Sequence, residues 1–166
     1  MSELHATSEL RVEKRRAQAE LTLSTGAVVR GCFFLAGSAA AHAGPERVGD
    51  LLNAEAGFFP FELTAQGPQG SWSALYNRTQ LVLVRLVEQT EAQLEPGYDV
   101  ATERHVSILL SNGAIVSGAV RVYLPAGRDR LSDYARTSVT FRYVEAADAT
   151  YIVNGAHIVE LREISA

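Results

Sequence analysis

Side chains that commonly perform catalysis or bind metals are few in this chain and far apart. The one cysteine, Cys32, follows a glycine and precedes two phenylalanines in a strand-like run. This setting is typical of a buried structural thiol, because a nucleophilic thiolate needs a nearby base and an electropositive, partly exposed environment. The histidines show no metal-ligand spacing; they are His5, His42, His105 and His157. We therefore predict a protein that is not an enzyme, with no catalytic residue, no metal and no cofactor.

Two aspartates, Asp50 and Asp133, each follow an arginine by three residues. On a helix such side chains meet, and a carboxylate in the first turn stabilises the start of the helix. General acid–base catalysis would need a second carboxyl group converging on the same pocket, and the sequence indicates none. We interpret both aspartates as structural residues of two short helical segments.

The densest aromatic group is Phe58-Phe59-Pro60-Phe61, and the proline in this strand-like run indicates a sheet edge. Trp72 stands at the end of the following loop. One interpretation places these aromatics in the core, as we expect for Phe61. The other makes Phe58, Phe59 and Trp72 an exposed docking patch for a partner protein, since aromatic side chains are enriched at interfaces.

Basic residues offer a weaker candidate surface. Arg15 and Arg16 lie beside the single lysine, Lys14, and could contact phosphate. The chain carries a net charge of −4, which argues against a dedicated duplex-DNA binder. A local basic patch remains compatible with that charge.

The 166 residues are 47% hydrophobic and 20% charged, which excludes a disordered chain, a collagen-like repeat and a disulfide scaffold. The polar N-terminus does not fit a secretory signal. Apolar stretches fall far below the ~20 residues that a membrane helix needs. We expect a cytoplasmic protein with no membrane partner.

The chain contains two copies of one sequence pattern. The number of positions between matching residues decreases along the chain. Leu23-Ser24-Thr25-Gly26-Ala27 recurs as Leu110-Ser111-Asn112-Gly113-Ala114, 87 positions later (110 − 23). Leu75-Tyr76-Asn77 recurs as Ile152-Val153-Asn154, 77 positions later (152 − 75). The order of the matches is the same in both halves, so we infer a tandem duplication.

Each copy predicts the same elements. Residues 19–24 and 105–111 alternate apolar and polar as half-buried strands do, and turns with Gly26 and Gly113 lead into return strands at 27–35 and 114–124. Gly31 and Gly118 lie inside the return strands and indicate a bulge or sharp bend. A short helical segment follows, and the last strands are expected near 58–64 with 73–86 and 138–145 with 150–164.

These elements predict an N-terminal polar arm at 1–18, a first β-barrel repeat at 19–90, a linker at 91–103 and a second β-barrel repeat at 104–166. The fold class is mainly β, with two tandem small barrels that each carry a short helix after the second strand. A unit of ~60–70 residues is marginally stable alone, so we expect the copies to share apolar surface.

The second unit resembles the Sm-like and SH3-like small β-barrels. The resemblance is carried by Val106 to Leu110, the Asn112-Gly113 turn, Gly118 and the closing segment from Val153 to Val159. It implies a barrel fold and RNA binding by assembled rings. The residues it would bring to nucleic acid are Arg15, Arg16, Asn77, Arg78 and Asn154.

Taken together, the sequence predicts a bacterial, non-enzymatic protein-binding or scaffolding module built from two duplicated units. Its partner is expected to be another protein, with a second copy of the chain as one possibility. The alternative is an Sm-like RNA-binding protein. A small-molecule pocket between the two copies is a third interpretation.

Overall fold

The computed structural model describes residues 14–40, 42–64, 70 and 72–165. The described part of the first half contains five strands and one α-helix: β1 (Arg15–Leu23), β2 (Val28–Leu35), α1 (Val48–Ala54), β3 (Phe58–Leu63), β4 (Trp72–Asn77) and β5 (Leu81–Leu86). The second half repeats this order: β6 (Thr102–Leu110), β7 (Ile115–Val122), α2 (Leu131–Ala135), β8 (Phe141–Glu145), β9 (Thr150–Asn154) and β10 (Ile158–Glu163). The molecule is therefore mainly β, as predicted.

All ten strands belong to one antiparallel sheet, in the order β10-β6-β7-β8-β9-β5-β1-β2-β3-β4. Within each half the arrangement of strands is the same. This single sheet differs from the two separate closed barrels that we expected. β5 of the first half pairs with β9 of the second, and this pairing joins the strands of both halves into one sheet. Among the described strands the sheet does not close, and β4 and β10 lie at its two edges.

Strand positions agree with the period-two pattern, while several boundaries differ. β1 and β6 begin three or four residues earlier than predicted, at Arg15 and Thr102. The predicted strand at 73–86 is two strands separated by a 3-10 helix at Arg78–Gln80, and a 3-10 helix at Gly155–His157 divides its counterpart. The segment predicted as a linker carries 3-10 helices at Glu91–Leu94 and Tyr98–Val100.

The repeated glycines have two different structural roles. Gly26 and Gly113 adopt φ of +88° and +84° in the β1–β2 and β6–β7 turns, a conformation that other residues rarely adopt. Gly31 and Gly118 lie where a strand passes very close to a backbone carbonyl, of Glu62 and Glu145 respectively. The β1–β2 and β6–β7 registers continue without a shift through Gly31 and Gly118. Close backbone approach, rather than a bulge in these ladders, accounts for both glycines.

The helices begin as predicted. The carboxylates of Asp50 and Asp133 accept hydrogen bonds from the backbone N–H groups of Arg47 and Arg130, at 2.9 and 3.2 Å. These bonds satisfy a donor that a helix start otherwise leaves without a partner. Among the described residues, no helix has both the length and the apolar character needed to cross a membrane.

Candidate functional site

The joint between the two halves is an antiparallel pairing of β5 with β9. Its register aligns Leu83 with Val153, Val84 with Ile152, Arg85 with Tyr151 and Leu86 with Thr150. Two buried clusters lie on either side of this joint, one in each half. Val82 from β5 belongs to the cluster of the second half, whereas Phe141 and Ile152 belong to the cluster of the first. Each half therefore completes the core of the other.

Side-chain hydrogen bonds reinforce the end of this joint. Asn154 is 2% exposed and donates through Nδ2 to the carbonyl oxygens of Arg78 and Leu81, at 3.2 and 2.8 Å. Nε2 of His157 lies 2.7 Å from the Thr79 carbonyl oxygen. Because all of these contacts cross between the halves, they fix the position of β9 along β5.

A second set of contacts ties α1 to β8. Asn53 donates to the Phe141 carbonyl and accepts from the Phe141 N–H, both at 2.9 Å. The Gly49 N–H donates to the Tyr143 hydroxyl at 2.9 Å, and that hydroxyl donates to Glu91 at 2.9 Å. Burial raises the pKa of Glu91, and the hydrogen bonds from the Val48 N–H and from Tyr143 oppose this rise. Polar contacts that include the buried Glu91 therefore hold the two halves together, in addition to strand pairing.

The free edges of the sheet, β4 and β10, are the repeat counterparts of the two joined strands. The shift of 77 positions that relates Leu75 to Ile152 also relates Val82 to Val159. Ile152 and Val82 are fully buried at the joint, whereas Leu75 is 68% exposed and Val159 is 65% exposed. The molecule therefore exposes at its ends two apolar residues that correspond to positions its own joint covers.

The sequence of β4, Trp72 to Asn77, contains no charged residue. Exposed edge strands of soluble proteins are normally protected against strand addition by charges, prolines or bulges. β10 differs, because Glu160, Arg162 and Glu163 lie within it. β4 is consequently the less protected of the two edges.

The predicted docking residues do not form one patch. Phe58 is 61% exposed and lies on the same sheet face as Pro60 and Leu75, which pair across β3 and β4. Trp72 is 63% exposed but pairs with Leu63 in register, which places it on the opposite face. Phe59 requires a correction: it is fully buried, stacked 5.6 Å from Phe33. Alternation along β3 turns neighbouring phenylalanines to opposite faces.

The residues predicted for nucleic acid are also dispersed. The Arg78 guanidinium is buried and donates to the carbonyl oxygens of Leu51, Leu52 and Phe58 at 2.8–3.1 Å, which caps the end of α1. Asn77 caps the following 3-10 helix by accepting from the Thr79 N–H at 3.1 Å, and Asn154 lies in the joint. Both Arg78 and Asn154 are therefore corrected to structural residues.

The remaining predicted nucleic-acid residues lie at the start of β1. Arg16 is exposed and forms an ion pair with Glu62 at 3.2 Å. Arg15 donates to the Glu46 carbonyl at 3.2 Å. Both charges therefore have partners within the chain.

Of the groups first considered for chemistry, His42 and Asp50 contact each other, and Cys32 lies on β2. Cys32 is half-buried, and burial raises the pKa of its thiol. His42 contacts Asp50 at 2.7 Å, and hydrogen bonds from the imidazole to the Ala43 carbonyl oxygen and to the Asp50 carboxylate raise the pKa of this histidine. In the part of the chain that the structure describes, no group of three His, Cys, Asp or Glu residues is arranged to hold a metal ion.

Sequence reasoning missed Leu75, Val82, Ile152 and Val159 as candidates. The repeat itself was the available signal. Leu75 and Val159 are apolar residues at the repeat positions of Ile152 and Val82, and the chain covers only the second of these pairs. No protein-family model, curated protein or solved structure matches this chain.

Proposed function

We propose that this protein is a non-enzymatic scaffold that binds other proteins through its free sheet edges, and that its first partner is a second copy of itself. In this arrangement β10 of one chain adds to β4 of the next, head to tail. The observation that carries the proposal is the β5–β9 joint, since β10 and β4 are the repeat counterparts of β5 and β9. A heterologous contact of this kind generates a ring when its rotation closes and a filament when it does not.

The joint defines the register of the proposed contact. Each β5 residue corresponds to the β10 residue 77 positions later, and each β9 residue corresponds to the β4 residue 77 positions earlier. The β5–β9 register therefore aligns Glu160 with Tyr76, Leu161 with Leu75, Arg162 with Ala74 and Glu163 with Ser73. No pair in this register places like charges opposite each other, an arrangement that would destabilise strand pairing. Backbone hydrogen bonds along the added strand would supply affinity, and the side chains would supply selectivity.

Side-chain burial supports the same contact. Val82 enters the neighbouring core at the joint, so Val159 would enter the core of the first half of the next chain. Leu75 would be covered as Ile152 is. Fully burying a side chain of this size contributes about 1.5–3 kcal/mol, and the contact buries one from each chain.

Asn77, at the end of β4, is placed to form the hydrogen bonds that Asn154 forms at the joint. Asn154 donates to the carbonyl oxygens of Arg78 and Leu81 across the joint. Its counterpart, Asn77, is half-buried and stands at the end of β4. In the proposed contact Asn77 would donate to the carbonyl oxygens of Gly155 and Ile158 of the preceding chain, whose β10 adds to this β4.

As part of this proposal, each half is a strongly curved unit of the Sm-like or SH3-like kind. The support is the shared order of elements and the glycines, Gly31 and Gly118, that let one strand pass close to the next. An experimental structure of the chain would test this, and two flat half-sheets would contradict it.

The test measures molar mass by light scattering after size exclusion, over a range of protein concentrations. We expect wild-type chains to associate, and Leu75→Lys to raise the dissociation constant at least about tenfold, because a lysine at an edge opposes strand addition. Ile115→Lys is the matched control, since Ile115 is 66% exposed and lies on β7, an internal strand. This control should associate as the wild type does.

A mixing experiment distinguishes the two edges. Leu75→Lys blocks β4 and leaves β10 intact, whereas Val159→Lys blocks β10 and leaves β4 intact. Each variant alone should be monomeric, and their mixture should form a dimer and nothing larger. Monomeric wild type at every concentration, or a variant that still self-associates through one edge, would overturn the proposal.

A further inference from the structure

A cavity of about 420 Å³ lies where the two halves meet the segment that joins them. It is lined by Arg47 beside α1, Glu95 in the joining segment, Arg121 on β7 and Tyr134 on α2. Its volume falls within the range of roughly 300–1,000 Å³ that is common for small-molecule sites. The cavity lies within a single chain, so it is independent of the proposed self-association.

Among the residues that the structure describes, three polar groups lining this cavity have no hydrogen-bond partner. They are Nη1 of Arg47, Nε of Arg121 and the hydroxyl of Tyr134. The Glu145 carboxylate lies 3.8 Å from Arg121 Nε, which is ion-pair distance and too long for a hydrogen bond. Arg47 is 7% exposed and Tyr134 is 6% exposed. A buried donor without a partner destabilises the folded chain, so three around one cavity indicate a site that gains its acceptor from outside the chain.

Other nitrogens of the two guanidinium groups make contacts within the chain. Arg47 binds Asp50 through Nε and Nη2, at 3.1 and 2.7 Å. Nη2 of Arg121 lies 2.8 Å from Glu103 and donates to the Tyr98 hydroxyl at 3.0 Å. These contacts hold the two arginines in place and leave Nη1 of Arg47 and Nε of Arg121 as donors for a ligand.

The charges and walls of the cavity restrict the ligand. Three arginines and three carboxylates line it, so its overall charge accommodates a monoanion better than a dianion. Arg142 is not a free cation, because its three nitrogens donate to the carbonyl oxygens of Val139, Tyr134 and Thr137. Apolar and aromatic side chains form much of the wall, including Val122, Leu124, Val139 and Phe141.

We propose that this cavity binds an aromatic monocarboxylate. The carboxylate oxygens accept hydrogen bonds from Arg47 Nη1, Arg121 Nε and the Tyr134 hydroxyl, and the ring packs against the apolar wall. Charge-assisted bonds from guanidinium to carboxylate are stronger than neutral ones, which gives the acid an advantage over a neutral analogue of the same shape.

Glu95 adds a pH dependence to this site. Burial raises the pKa of its carboxyl group to about 7, with Arg47 opposing the rise and the carboxylates of Asp50 and Glu145 adding to it. The Tyr123 hydroxyl also faces this group and lowers the pKa. Below pH 7 Glu95 is mostly neutral, and above it the added negative charge repels a bound carboxylate. Binding should therefore weaken as the pH rises through 7.

The test is isothermal titration of the full chain with 2-naphthoate, with 2-naphthamide as the neutral analogue. We expect one 2-naphthoate per chain, at least about tenfold weaker binding of the amide, and weaker binding at pH 8 than at pH 6. Tyr134→Phe should weaken 2-naphthoate binding by about tenfold. Its melting temperature without ligand should be equal to that of the wild type or higher, because the variant removes a buried hydroxyl that has no partner.

The matched control is Tyr151→Phe, whose hydroxyl donates to Asp148 at 2.7 Å and does not line the cavity. This variant should bind 2-naphthoate as the wild type does. The proposal is overturned if 2-naphthoate does not bind or if the amide binds equally well. It is also overturned if Tyr134→Phe keeps full affinity or melts at a lower temperature than the wild type.

Discussion

Gly118 shows how a single residue permits a strand to bend against its neighbour. A Cβ atom at this position would overlap the Glu145 carbonyl oxygen and lie 2.8 Å from its carbon. Both of these are backbone atoms, so a rotamer change cannot relieve the overlap. Gly31 has the same relation to Glu62, which explains why both copies of the repeat carry glycine here.

We predict that Gly118→Ala destabilises the protein by about 2 kcal/mol or more, since β7 and β8 must move apart to accept the methyl group. The measurement is the free energy of unfolding from urea denaturation. Ser117→Ala is the control, because Ser117 is exposed on the same strand, and such a surface change should stay within about 0.5 kcal/mol. Equal stability of the two variants would contradict the close approach.

The two 3-10 helices that follow β4 and β9 illustrate one element in two environments. Asn77 and Asn154 each accept a hydrogen bond from the backbone N–H two residues later, at 3.1 and 3.0 Å. Only Asn154 also donates across the joint, to two carbonyl oxygens. The same local motif therefore serves as a cap in one copy and as part of an interface in the other.

Substituting each asparagine by alanine separates these two contributions. We predict that Asn77→Ala costs about 0.5–2 kcal/mol, as the loss of a helix cap does. Asn154→Ala should cost at least about 1 kcal/mol more, because it also removes two buried hydrogen bonds across the joint. Urea denaturation in a Leu75→Lys background, where β4 is unpaired, gives both values. Equal losses would mean that the bonds across the joint contribute nothing.

At the scale of the whole molecule, the two halves depend on each other for their cores. Val82 leaves the first half to join the cluster of the second, and Phe141 and Ile152 enter the cluster of the first. Asn53, Gly49 and Glu91 add hydrogen bonds over the same boundary, of which the bond from the Val48 N–H to Glu91 is buried. The ten-stranded sheet is for this reason the cooperative unit that we expect to unfold.

We predict that residues 1–90 and residues 91–166, produced separately, show no cooperative thermal unfolding, because each lacks apolar side chains that complete its core. Mixing the two pieces should restore a cooperative transition and the circular dichroism of the intact chain. The intact protein is the reference. A half that alone melts cooperatively would show that the joint is dispensable.

Many features of the fold follow from local signals in the sequence. Alternating apolar residues placed the strands within a few residues, the glycine turns placed the hairpins, and the repeat correctly predicted the same order of elements in both halves. Such signals depend on residues close together in the chain, where backbone conformation and the exposure of one strand face are set by neighbours.

Only the tertiary structure decided which edges pair and which side chains that pairing covers. Phe58 and Phe59 are adjacent in sequence and lie on opposite faces. The sequence alone is compatible with Arg78 and Asn154 in a basic or polar surface patch. In the structure, contacts with α1 bury Arg78 and the β5–β9 joint buries Asn154. Leu75 and Ile152 occupy equivalent positions with opposite exposure. These outcomes depend on contacts between residues far apart in the chain, such as Arg78 with Leu52 and Asn154 with Leu81. Hydrophobic patterning carries no information about the partner that covers a given face.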